Sequence, residues 1–197
     1  YRMQEAYNWS KSIVLIDCKV VGGGNYLGSG AYIGDNTILT CSHTINFRYL
    51  RSLDVIFPGK GRVAAKRAYN DPIRDIALLH VVEVPKDVKP LRLSQTNPKI
   101  GDAVYCCGYA KGQSFRVHSG RVVGFRNSTT RTTYAPWFSF TSGAISGESG
   151  GPIFNSKGEI IGPLWGSDGA TTTGCFTGVT HKALKAVNFN LFSQNQR

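Results

Sequence analysis

Acidic residues are scarce in this sequence: 12 Asp and Glu stand against 23 Lys and Arg among 197 residues, a formal net charge of +11. Cysteine is also sparse, five residues with no pair at the CxxC spacing, so neither a disulfide framework nor a tetrahedral zinc cluster is expected. No apolar run approaches the roughly 18 residues that would cross a bilayer. The opening YRMQEAYNWSKS lacks the basic-then-apolar order of a signal peptide. There is no HExxH helix motif and no phosphate-binding glycine loop, so no metal and no nucleotide cofactor is expected.

What is present favours strands. Glycine reaches 23 residues, and Val, Ile, Thr, Tyr and Phe recur in short runs cut by Gly, Pro, Asn and Asp. Six runs precede a Pro-containing stretch, at residues 12–20, 27–33, 37–40, 53–57, 62–69 and 75–81. Six more follow it, at 103–109, 115–125, 137–141, 152–154, 159–165 and 175–180, so the midpoint falls near residue 97. The class expected is all-β, with each set large enough to close a small barrel. One C-terminal helix is predicted, with Thr180 as cap and Ala183, Leu184, Val187 and Leu191 on one face.

Cys18, Cys106 and Cys107 lie inside apolar runs, where a free thiol acts as a small buried hydrophobe; this points to a reducing compartment such as cytoplasm. The densest basic stretch runs from Arg48 through Arg51, Lys60, Arg62, Lys66 and Arg67 to Arg74. It reads as a solvated charged face, or as a surface for a polyanion such as RNA, although no nucleic-acid motif accompanies it.

The segment GESGGPIFN, residues 147–155, carries the most chemistry. Acyl transfer needs a hydroxyl on a tight bend, with backbone N–H groups aimed at the carbonyl oxygen that becomes charged. Ser149 is the candidate nucleophile, and the N–H groups of Gly147 and Ser149 are the candidate oxyanion donors. A serine hydroxyl needs a base. Of four histidines, His43 alone follows an apolar strand and a small-residue turn; His80, His118 and His181 read as ordinary surface or core residues. The base needs a carboxylate to hold its tautomer. Asp75, placed before the apolar run IALLHV, suits that role.

Taken together, TCSH at 40–43, DIALL at 75–79 and GESGGP at 147–152 resemble the three signature segments of chymotrypsin-like serine proteases, in that family's order His, Asp, Ser. The resemblance implies two six-stranded antiparallel β-barrels with the site between them: residues 1–97 carrying His43 and Asp75, and residues 98–197 carrying Ser149 and the helix. It implies a polypeptide substrate, hydrolysed by a serine endopeptidase. Gly143, Ala144, Leu164, Trp165, Gly166 and Gly174 then match the substrate-binding walls. Gly143, at the matched pocket floor, is uncharged, so a neutral P1 side chain is expected.

Departures from the animal digestive relatives refine this. The IVGG-like start, whose amino terminus pairs with the acid before the serine in those relatives, is missing; Thr44 replaces their cysteine after the histidine, and the acid is Glu148 rather than Asp. The GSG at 28–30 and NSKGEIIG at 155–162 are similar to HtrA-like proteases and to viral polyprotein-processing proteases. Viral polyprotein processing is the expected role, with an HtrA-like bacterial protease domain, or a protease-fold module binding RNA or a partner, as alternatives. An α/β-hydrolase esterase would share the G-x-S-x-G pattern, but it would need its acid and histidine after Ser149.

Overall fold

The computed structural model describes residues 9–126, 137–141, 144, 147–167 and 171–191. A short 3-10 turn at Ser10–Ser12 leads into β1 (Ile13–Val20), β2 (Asn25–Gly34), β3 (Thr37–Thr40), β4 (Leu50–Phe57), β5 (Gly61–Asp71) and β6 (Ile76–Val81). The second set is β7 (Ala103–Ala110), β8 (Ser114–Arg126), β9 (Trp137–Thr141), β10 (Pro152–Phe154), β11 (Ile160–Ser167) and β12 (Thr171–Cys175), followed by helix α1 (Thr177–Ala186). Each set closes on itself, in the orders β1-β2-β3-β6-β5-β4 and β7-β8-β9-β12-β11-β10. The two barrels therefore share one connectivity although their sequences show no repeat. Closure leaves no free sheet edge.

Alternation explains the strands with one face inside a barrel. Val14, Ile16 and Cys18 of β1 point inward to Val55 and Phe57 of β4. By contrast β3 and β6 are apolar on both faces. Ile38, Ala77, Leu79 and Val81 fill the first barrel, while Leu39, Ile76 and Leu78 join Cys107, Phe154, Ile160 and Cys175 in a core shared between barrels. A strand buried on both sides reads as a continuous apolar run, as IALLHV does. The tight connection between β2 and β3 uses Asp35 and Asn36 at φ 51° and 52°, the left-handed pair of a type I′ hairpin.

The segment between the sets packs on both barrels. Leu91 N–H donates to Tyr32 O (2.9 Å) in the first, and Ser94 N–H to Ile160 O (2.8 Å) in the second.

Three expectations shift. The last strand is residues 171–175 rather than 175–180, because pairing with β9 carries it no further than Cys175. Helix α1 consequently begins at Thr177, with Phe176 at the N-cap; Thr180 lies inside it, donating to Ile161 O (3.1 Å). The helix stops at Ala186, leaving Leu191 exposed beyond it. All five cysteines are free and buried. No described helix is long and apolar enough to cross a membrane.

The basic stretch is not an undivided positive face. Arg62 is shared between Asp17 (2.8 Å) and Asp54 (2.9 Å), Lys60 meets Asp87 (3.2 Å), and Arg74 meets Asp71 (3.0 Å). Arg67 turns inward to the carbonyls of Ile45 and Phe47.

Candidate active site

His43 lies in the turn that leaves β3, where Ile45 N–H closes back on Ser42 O (2.9 Å). Asp75 lies at the mouth of β6. The turn before it is built on Asp71, whose carboxylate accepts from the N–H groups of Ile73 and Arg74 (both 3.1 Å) and from the Arg74 guanidinium. Asp75 itself sits at φ 59°, a conformation that non-glycine residues adopt rarely and that Asp and Asn tolerate best. Its carboxylate is buried and reaches His43 with both oxygens: Oδ2 is 2.7 Å from Nδ1, and Oδ1 accepts the His43 backbone N–H at 2.7 Å. A carboxylate can only accept, so Nδ1 carries the proton and Nε2 is left facing the cleft.

Burial opposes a charge on the His43 ring, but the Asp75 hydrogen bond, the nearby Cys41 sulfur and the Asp75 charge outweigh it. The ring is pushed up to about 10. Cys41 Sγ lies 4.0 Å from Nε2 and 3.4 Å from Thr44 Oγ1. Sulfur, imidazole and carboxylate thus offer atoms within 4.8 Å of one another. Both Asp75 oxygens are already engaged by His43, so the cluster is better described as a held imidazole than as a metal centre.

Ser149 comes from the second barrel, on the turn before β10. Gly147 and Gly150, at φ 93° and 89°, bend the chain around it. A Cβ on Gly150 would overlap Ser29 O and Thr40 Oγ1, so only glycine lets this turn press against the first barrel. Ser29 of β2 clamps the turn: its N–H donates to Ser149 O (2.8 Å), and its hydroxyl donates to Gly147 O (2.9 Å) while accepting from Tyr109 N–H (2.8 Å). Strand β11 holds the other side through Gly150 N–H to Leu164 O (2.7 Å) and Leu164 N–H to Gly151 O (2.8 Å). Glu148 is fully buried, its Oε1 2.7 Å from His118 Nε2.

A cleft of about 370 Å³ joins these parts, lined by His43, Ala144, Ser149, Leu164, Trp165, Gly166 and Ser167. His43 and Ser149 thus meet in one cavity, with Asp75 behind the histidine. The Ser149 hydroxyl donates to Trp165 O (3.2 Å), where β11 shifts register between Leu164 and Gly166. Ala144, Leu164, Trp165 and Gly166, read from the sequence as substrate-binding walls, line this cleft beside His43 and Ser149. Gly174 does not line this cleft: it pairs with Phe138 on β9, and a Cβ there would run into Ile153. Gly143 lies outside the described residues. Ser29, Cys41, His118 and Ser167 were not singled out as site residues. Only the acid before the serine hinted at one of them, since a buried carboxylate needs a donor.

A family model described as the trypsin-like peptidase domain matches residues 28–162. The chain belongs to this family. Its relatives include probable periplasmic serine endoproteases, DegP-like: one from Pseudomonas fluorescens is 33% identical over 156 residues, 78% of this chain and 32% of the relative. Another, from Pseudomonas fulva, is 32% identical over 148 residues, 72% of this chain and 30% of the relative. The chain therefore spans only about a third of the length of these curated relatives. Among solved structures, the active form of the Rv3671c protease from M. tuberculosis superposes with a TM-score of 0.81 at 21% identity, covering 92% of this chain and 83% of that one. The serine endoprotease from Yersinia pestis gives 0.78 at 20%, covering 95% and 66%. At that identity the structures establish the shared fold.

For this trypsin-like peptidase the comparisons favour the HtrA-like alternative over viral polyprotein processing, for which they give no support. RNA binding gains none either, and Lys60, Arg62 and Arg74 of the basic stretch are engaged in ion pairs.

Proposed function

We propose that this chain is the protease domain of an HtrA-like serine endopeptidase, cleaving polypeptides through an acyl-enzyme, with lobes 1–97 and 98–197 either side of the cleft. The observation that carries the reading is the shared cleft: an imidazole locked by Asp75 opens onto the same cavity as Ser149. In this reading Ser149 Oγ attacks the scissile carbonyl while His43 Nε2 takes its proton, and Asp75 keeps Nδ1 protonated and stabilises the imidazolium. The N–H groups of Gly147 and Ser149 meet the oxyanion. The proton on Nε2 passes to the leaving amine, and a water molecule then repeats the sequence to release the acid.

The hydrogen bond from Ser149 to Trp165 O competes with proton transfer to His43. Rotation about χ1 of Ser149 relieves it, and such contacts commonly tighten only when substrate is bound. His43 is the sole ionisable side chain among the described lining residues, which supports an uncharged P1 residue. Cleavage profiling with a diverse peptide library, Ser149→Ala alongside, tests the whole reading. Cleavage after neutral residues by the parent chain alone, with fluorophosphonate labelling of Ser149, is expected. No cleavage and no labelling by the parent chain sinks the proposal.

A further inference from the structure

Glu148 lies between the two residues whose N–H groups are proposed to meet the oxyanion, yet its own side chain turns away from the cleft and is fully buried. Its Oε1 accepts from Nε2 of His118, at 2.7 Å, and both side chains are largely out of water. His118 is held in the middle of β8 opposite Cys106 of β7, so its ring is anchored by the barrel wall. The backbone around Glu148 is equally fixed: its carbonyl accepts Gly151 N–H (3.0 Å), and a Cβ on Gly108 would stand 3.1 Å from Glu148 Cα and O. Where the Glu148 side chain is drawn therefore decides which way the peptides on either side of it face.

We infer that His118 is a positioning residue for the oxyanion site: by holding the Glu148 carboxylate inside the second barrel, it turns the Gly147 and Ser149 N–H groups toward the cleft. This rests on the proposed function above. In the animal digestive proteases the acid before the serine is met by a freed amino terminus. Here a donor from within the barrel meets it. The longer Glu matters as well, since aspartate is one methylene shorter and would fall short of the ring.

The test uses the intact chain with a peptide chosen by library profiling, together with the rate of fluorophosphonate labelling. His118→Leu and Glu148→Asp are each expected to lower kcat and the labelling rate on the order of 10²-fold, with KM changed only a few-fold, because transition-state stabilisation is lost while substrate binding remains. Glu148→Asp combined with His118→Arg is expected to recover at least tenfold over Glu148→Asp alone, since the longer side chain restores the reach. Recovery in that pair separates positioning from general damage even if His118→Leu folds poorly. Wild-type rates in the single variants, a change confined to KM, or no recovery in the double variant would each overturn the inference. If the parent chain itself takes up no fluorophosphonate, the proposed function has failed rather than the role of His118.

Discussion

Asp75 holds His43 at two points, the ring through Nδ1 and the main chain through N–H, both at 2.7 Å. One buried carboxylate thereby fixes both the position and the tautomer of the imidazole. It does so from a left-handed backbone conformation that asparagine also accepts, which makes the isosteric change an informative one.

Asp75→Asn should fold, with a modest loss of melting temperature that shrinks as pH rises, but lose kcat by on the order of 10⁴-fold, because the amide can stabilise the wrong tautomer and no longer balances the imidazolium. Steady-state kinetics beside a thermal melt checks this. Retention of more than a tenth of the activity would count against the assigned role.

The same pair predicts a pH dependence. His43 is raised from 6.5 to about 10 in the folded chain. Below about 6.5 the ring is protonated both folded and unfolded, and the contribution of the pair to stability is fully present. As pH climbs toward 10 the unfolded ring has already lost its proton, so the contribution declines and vanishes above the folded value. Half of the ring faces water, which screens the pair and keeps the effect modest. Denaturation midpoints of wild type and Asp75→Asn should converge between about pH 6.5 and pH 10. The kcat/KM of the wild type should keep rising as pH climbs toward about 10, where the neutral base appears in the folded chain. A gap in stability that widens with pH would contradict the assignment.

Ser29→Ala removes a hydroxyl that links the barrels, stranding Gly147 O and Tyr109 N–H in a buried place. Leaving such groups unmet costs about 1–3 kcal/mol. Urea denaturation should show a loss of that size, accompanied by a fall in kcat because the Gly147 peptide is freed. Unchanged stability would mean that water takes over both bonds.

Gly174→Ala distinguishes a wall of the cleft from a core position. The added methyl meets Ile153 and stands 3.4 Å from the Phe138 ring, so an overpacking cost of about 1–3 kcal/mol is expected. Peptide-library profiling should show an unaltered P1 preference in the fraction that remains folded. A switch in P1 preference without loss of stability would return Gly174 to the substrate pocket.

Much of this was legible in the sequence, for identifiable reasons. Short apolar runs and the turns between them are local properties, so eleven of the twelve strands could be placed. The reading failed where two patterns overlapped. Residues 175–180 suit a strand or the first turn of a helix, and pairing with β9 ends the strand at Cys175. Cysteines inside apolar runs proved free and buried, but their sequence neighbours did not reveal that Cys41 stands beside Nε2.

The sequence by itself determined the two sets of strands, the glycine-bracketed turn at Ser149 and the three segments that carry His43, Asp75 and Ser149, because composition and short spacings encode local conformation and chemistry. Only the tertiary structure decided that His118 meets Glu148, that Ser29 clamps Gly147 from 118 residues away, and that Gly174 belongs to the core. Those contacts depend on barrel closure and strand register, where a slip of one residue sends every side chain to the opposite face.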